Sequence, residues 1–338
     1  MSQYLSDKLT ILYTLLIIMV VYIHSYYLEA EQYPIAYFLQ KLIGGGICRI
    51  ANCLFFCISG YLFARNIHTA HGVSLKLKKR LCTLLIPYVL WNVIFVLWYV
   101  VLALIPDLNR FNNSGDLINS CFGGTLWEAF YNLFIKPAAF QLWFLRDLLV
   151  MLALTPLLWW ITKRSWIVAV IMAFVTASVY WPWLIYYWLG LIMAIQKWNV
   201  ENYPKPIAFM VACIVLFMGY AVSFALDYEP AGWLEAPVNL MGLYIAWTIY
   251  DWIARGRCFA DKGLWRYICG YSFFIYCFHE PAFNIIKKLA LMICGTSEPV
   301  LIFFYFINPW LMVAMTVIIA RLLQRIMPRV YKILTGGR

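Results

Sequence analysis

The sequence predicts an all-α integral membrane protein with about ten transmembrane helices and both termini in the cytoplasm. Three observations support this. The 338-residue chain is 64% hydrophobic and only 12% charged, about half the charge of a soluble domain. Apolar runs long enough to cross a hydrocarbon core follow one another along the whole chain. The segments between them alternate between rich and poor in Lys and Arg, as topology set by positive charge requires.

Ten spans are expected, at 9–28, 47–64, 82–105, 139–161, 166–179, 183–196, 207–226, 237–253, 268–293 and 300–320. The first is long enough to cross, and no small-x-small cleavage pattern follows it, so it reads as a helix rather than a leader. Trp98-Tyr99, Trp159-Trp160 and Trp181-Pro182-Trp183 lie at span ends, where interfacial aromatic belts belong. Pro281 marks a kink in the ninth span. With the N-terminus inside, the inner segments hold nineteen Lys and Arg and the outer segments five, while Arg49 and Arg146 fall within spans. That asymmetry accounts for the net charge of +11 as an orienting signal, with no need for nucleic acid. The longest outer segment, 106–138, holds Asn112-Asn113-Ser114-Gly115 and then an aromatic stretch, Leu126 to Tyr131. That stretch is expected to lie on the outer leaflet as an interfacial helix. Residues 1–338 read as a single membrane domain with no soluble appendage.

The ten cysteines lie mostly inside apolar runs, with Cys121 in a loop, and form neither a disulfide framework nor a paired CxxC site. They read as small packing residues. His68 and His71 form an HxxH pair without further ligands nearby and read as solvated, so no metal is expected.

Ionisable groups at bilayer depth are costly and mark functional sites. Here they are His24, Arg146, Asp147, His279 and Glu280. At 1.5 Å per residue across a core about 30 Å thick, His24 lies about 22 Å up from the inner edge, Arg146 and Asp147 about 18–20 Å, and His279 and Glu280 about 16–18 Å. One layer thus holds a base, a cation and carboxylates, enough for acid/base chemistry. Arg146 and Asp147 are about 100° apart on a helix and need not pair. Arg49 and Asn52 read as interfacial. The inner run Lys76-Leu77-Lys78-Lys79-Arg80 sets topology and suits a cytoplasmic cofactor carrying several phosphates. Pro87-Tyr88 and Trp91-Asn92 follow it, where a kink opens a slot between helices.

The chain resembles the bacterial acyltransferase family 3, integral membrane O-acyltransferases of about ten helices. The matching stretches are Val20 to Ser25 (VVYIHS), Phe55 to Leu62 (FFCISGYL), Lys79-Arg80 leading to Ile86-Pro87-Tyr88, and Leu142 to Leu148 (LWFLRDL). Ser272 to Tyr276 before His279 and the tail Leu334 to Arg338 complete the set. The resemblance implies transfer of an acyl group, acetyl in the first instance, from cytoplasmic acyl-CoA to a hydroxyl of a carbohydrate or lipid-linked glycan. It also implies a multi-pass protein of the bacterial inner membrane, with oligomeric state left open. The family's essential histidine carries over to His24, and its basic contacts to CoA carry over to Lys79 and Arg80. Lys76, Arg65 and Ser59 join them as candidate donor contacts. Many members carry an arginine eleven residues before the histidine, and here that position is Tyr13.

The expected roles follow. His24 is the general base. Asp147 or Glu280 orients or charge-balances it, with His279 a further catalytic candidate, and Arg146 or Asn52 stabilises the developing oxyanion or positions the acceptor, with Trp143 a further acceptor contact. A second class, a proton-coupled transporter or flippase of a small anion or lipid-linked glycan, also suits buried His, Arg and carboxylates. The lack of repeat symmetry and of paired broken helices weighs against it.

Overall fold

The computed structural model describes residues 1–105, 118, 122–179, 181–228, 230–258 and 263–337. Cys121, Asn112 to Gly115 and Arg338 lie outside the described residues. All regular structure among the described residues is helical. In chain order the helices are α1 (Gln3–Ile23), α2 (Pro34–Gln40), α3 (Ile50–Ala64), α4 (Ala70–Leu104), α5 (Leu126–Phe130), α6 (Trp143–Arg164) and α7 (Trp166–Val179). They continue with α8 (Leu184–Ile195), α9 (Ile207–Ala225), α10 (Glu235–Ala254), α11 (Leu264–Gly270), α12 (Ser272–Cys294), α13 (Glu298–Ile326) and α14 (Pro328–Leu334). A π-helical segment, Lys41–Gly46, joins α2 to α3 through a short 3₁₀ turn, Ile47–Arg49.

Among the described residues six helical segments are long and apolar enough to cross a membrane: Gln3–Ile23, Pro34–Ala64, Ala70–Leu104, Phe140–Arg164, Ile207–Ala225 and Glu298–Ile326. Two shorter apolar helices, Trp166–Ala177 and Leu184–Ile195, stand between them. α10 and α12 have the length to cross but carry charged residues. Each of the ten expected segments therefore contains a helix, and six meet the demands of length and apolarity.

Sequence signals set the helix ends. The Ser2 hydroxyl caps α1 by accepting from the Leu5 N–H at 3.0 Å. Thr125 and Glu128 form a capping box at α5. The expected outer-loop helix is thus present, with Leu126 and Trp127 exposed on it. The basic run around Lys76 to Arg80, expected in a loop, forms the opening turns of α4. α12 runs on through position 281.

The chain forms two compact units, Met1–Val73 with Thr155–Val317, and Ser74–Leu154 with Ile318–Arg338. In the first, α3 and α8 lie backbone to backbone. A Cβ at Gly60 would overlap the Tyr187 carbonyl oxygen, and one at Gly190 the Cys57 carbonyl oxygen. Small residues permit this approach where lipid supplies no hydrophobic drive between helices. Buried polar contacts fix α8 further: the Thr155 and Tyr187 hydroxyls meet at 2.8 Å, and Trp188 Nε1 donates to Thr162 Oγ1 at 2.9 Å.

In the second unit the tail folds against α4. Trp91 Nε1 donates to the Leu334 carbonyl at 3.1 Å. Gly336 takes a positive φ of 65° with its Cα against the Thr83 carbonyl, where a side chain would be both strained and blocked. The Leu-Thr-Gly-Gly tail is therefore a packing motif.

Candidate active site

In the first unit, α1 stops one residue short of the histidine. His24 is its C-cap, not a residue within the span. Several contacts fix this end of the chain. A Cβ at Gly44 of the π-helical segment would stand 3.4 Å from the Tyr22 carbonyl oxygen, so that segment packs directly on the last turn. Ser25 Oγ donates to the Tyr305 carbonyl at 3.1 Å, and the Tyr27 N–H donates to Gln40 Oε1 at 2.7 Å. Lys287 Nζ donates to the carbonyls of His24 (2.9 Å) and Tyr26 (3.3 Å). A cation thus sits where α1 leaves carbonyls without partners of their own.

The His24 side chain faces α12. Its Nδ1 stands 3.2 Å from Glu280 Oε1, with the two side chains 12% and 15% exposed. The other Glu280 oxygen accepts from Asn284 Nδ2 at 2.8 Å. An ionised carboxylate only accepts, so the neutral imidazole carries its proton on Nδ1 and its lone pair on Nε2. His279 packs beside it, the ring centres 5.0 Å apart. His279 Nδ1 lies 3.1 Å from the Ile275 carbonyl and 2.9 Å from that of Tyr276. It must therefore carry the proton, which leaves the lone pair on Nε2. That atom is buried with no hydrogen-bond partner among the described residues.

Three of the expected residues, His24, His279 and Glu280, therefore come together on two helices. Lys287 and Asn284 were not expected. They lie seven and four residues beyond Glu280, on its face of α12. That spacing was the available signal, masked because Lys287 reads as a basic residue at a span end.

Comparison with known proteins now decides the family. A family model described as an acyltransferase domain matches residues 8–323. The chain belongs to acyltransferase family 3. The match runs through both compact units. This family member is also similar to the succinoglycan biosynthesis protein ExoH of Rhizobium meliloti (strain 1021), with 27% identity over 357 aligned residues, covering 100% of this chain and 94% of the relative. No solved structure matches it.

At the position where many family 3 acyltransferases carry an arginine, the Tyr13 ring packs against Phe55, 5.4 Å between centres. The one cation of α1, Lys8, is fully buried and bound to Asp251 at 2.7 Å. Neither places a free positive charge beside His24.

The remaining expected residues divide between the units. Ser59 and Arg65 belong to the first, with the Arg65 guanidinium 6.0 Å from the Tyr61 ring centre. Asn52 is half-buried on α3, and Arg49 is paired with Glu235 of α10. Lys76, Lys79 and Arg80 belong to the second unit, on successive turns of one stretch of α4. Trp143, Arg146 and Asp147 belong there too. The neighbours Arg146 and Asp147 do pair. Arg146 Nε donates to Asp147 Oδ1 at 2.8 Å, and its NH1 reaches the Ile135 carbonyl at 2.7 Å. The long Arg side chain spans the angle that separates the two Cβ atoms. Tyr88 donates to the Phe134 carbonyl at 2.5 Å, so both side chains pin the segment after α5. His68 and His71 are exposed. Among the described residues no three His, Cys, Asp or Glu are grouped to hold a metal ion.

Proposed function

We propose that this acyltransferase moves an acyl group, acetyl in the first instance, from acyl-CoA to a hydroxyl of a glycan, with His24 as general base. The supporting observation is the His24 Nδ1 to Glu280 Oε1 contact of 3.2 Å. A base held in one tautomer by a carboxylate is the arrangement that hydroxyl activation needs. The glycan acceptor is supported by the name of the relative, a succinoglycan biosynthesis protein. Residence in the bacterial inner membrane and entry of the donor from the cytoplasm past Lys76, Lys79 and Arg80 belong to the same proposal.

In the reaction, His24 Nε2 takes the acceptor's hydroxyl proton as the hydroxyl oxygen bonds to the thioester carbonyl carbon. The tetrahedral intermediate collapses, the C–S bond breaks, and the imidazolium returns the proton to the thiolate. The products are an ester and free CoA, with no change of oxidation state. Glu280 holds the ring and balances the imidazolium charge, Asn284 holds Glu280, and Lys287 holds the backbone at His24. The buried lone pair of His279 offers an acceptor for a hydroxyl or imidazolium proton beside the reacting group. Asp147 is proposed to hold Arg146, and Arg146 with Trp143, or alternatively Asn52, is proposed to position the acceptor.

The test is direct. Proteoliposomes holding the full chain are given radiolabelled acetyl-CoA and a membrane-glycan extract. A labelled, base-labile ester on the glycan, formed only with the protein present, is expected. Glycan moving across the membrane without gaining label would instead make the protein a transporter.

A further inference from the structure

At the end of α1 opposite His24, the first unit holds a partly open cavity of about 740 Å³. This is the size of a small-molecule pocket. Its walls are matched helix faces, with Leu54 and Ile58 of α3 facing Leu240 and Leu243 of α10, closed by Met193 of α8. The lining spans eight residues of both α3 and α10, from 54 to 61 and from 240 to 247, about 10 Å of helix rise. Lys8, at its polar end, is sixteen residues from His24, about 24 Å along α1, so the cavity is no part of the reacting centre.

Water gains no hydrogen bonds from such walls and leaves them dry, while an empty cavity forfeits the dispersion contacts of its lining. Inside a bilayer, hydrocarbon is the filler at hand. The end of the cavity at residues 198–204 is different. Three lining aromatics there are each backed by a cation: Trp247 by Lys8 at 4.0 Å, Tyr203 by Lys205 at 4.6 Å, and Tyr61 by Arg65 at 6.0 Å. Lys8 and Lys205 share one carboxylate, Asp251. The nearby Glu201 accepts from the Ser2 hydroxyl at 2.5 Å. Lys205, its side chain a quarter exposed, is the lysine of this pair that reaches solvent.

We infer that the cavity binds the hydrocarbon chain of a membrane lipid whose anionic phosphate headgroup meets Lys205. An apolar slot ending in aromatics and cations fits an amphiphile tail-first and selects for negative charge at its head.

Native mass spectrometry of the full chain in detergent tests this, with phosphatidylglycerol, phosphatidylcholine of the same chains, and palmitoyl-CoA as separate probes. One phosphatidylglycerol per chain is expected to be retained about fivefold more tightly than phosphatidylcholine, roughly what one lysine is worth against an anionic lipid. Leu240→Trp, which fills the slot, should release both lipids. Lys205→Gln should keep chain binding and level the two headgroups, and it decides alone if Leu240→Trp does not fold. No retained lipid, equal retention of the two headgroups by the unaltered protein, or displacement of lipid by palmitoyl-CoA would overturn the inference. The last result would make the cavity a donor site.

Discussion

The two ends of α1 carry the same kind of contact, a basic side chain of α1 against a carboxylate of another helix, and they are finished differently. At the start of the helix, Asp251 receives four donors. Tyr4 and Lys8 reach Oδ1 at 2.7 Å each, Tyr203 reaches Oδ2 at 3.0 Å, and Lys205 reaches Oδ2 at 2.9 Å. Lys8 also lies over Trp247. Every lone pair is used and the base is fully buried, so nothing is left to react. At the other end, among the described residues, Glu280 receives donors from His24 and Asn284, the His24 side chain is partly exposed, and His279 holds an unpartnered lone pair beside it. A saturated pair fixes helices in place, and an unsaturated pair of titratable groups is where chemistry can occur.

Substitutions at the two ends should therefore separate activity from stability. The largest effect is expected at His24. His24→Ala should lower acyl transfer by about 10²–10⁴-fold, the usual worth of a general base, with the thermal midpoint in detergent nearly unchanged. Lys8→Met should do the reverse. Leaving Asp251 short of its buried partner costs about 3–5 kcal/mol, read as a lower melting temperature and a poorer yield of monodisperse protein. Whatever protein folds should keep its turnover per molecule. If Lys8→Met instead abolished transfer in folded protein, the division between the two ends would fail.

Smaller effects sharpen the picture within the reactive end. Glu280→Gln keeps an acceptor for Nδ1–H but loses the charge. A hydrogen bond to a charged group is worth about 1.5–3 kcal/mol, so turnover should fall by roughly 10- to 150-fold with little change in KM for acetyl-CoA. Lys287→Met removes the cation over the end of α1, worth about 0.3–2 kcal/mol. Both stability and turnover should drop modestly, and Lys287→Arg should restore them. The smallest effect is expected at Asp227, outside the spans, where hydrogen bonds from Lys41 and then Tyr37 hold the carboxyl below the usual carboxylate range. That contribution is present above the ordinary carboxylate pKa and is lost only as pH falls through the lowered value. Because the group is exposed and screened, Asp227→Asn should leave the melting temperature at neutral pH unmoved.

Much of this fold was legible in the sequence because apolar run length is a strong signal. Each of the ten expected segments contains a helix. Depth along the spans placed His24, Arg146, Asp147, His279 and Glu280 in one layer, and of these the first unit brings His24, His279 and Glu280 together. What sequence did not reveal was local closure. α1 ends at Ile23 with no glycine or proline after it, because Lys287, Gln40 and Gly44 from distant segments terminate it. The pairing of Arg146 with its own neighbour depends on a rotamer that no periodicity encodes. Lys8 and Asp251 lie 243 positions apart, and in the sequence Lys8 is indistinguishable from a topology-setting charge.

The measurement that tests the central claim most directly is transfer of radiolabelled acetyl from acetyl-CoA to glycan in proteoliposomes of unaltered and His24→Ala protein, matched for folded content by melting temperature. Ester formation by the unaltered protein and its loss in His24→Ala, with equal melting temperatures, is the predicted result. Undiminished ester formation by His24→Ala would contradict the assignment of the base.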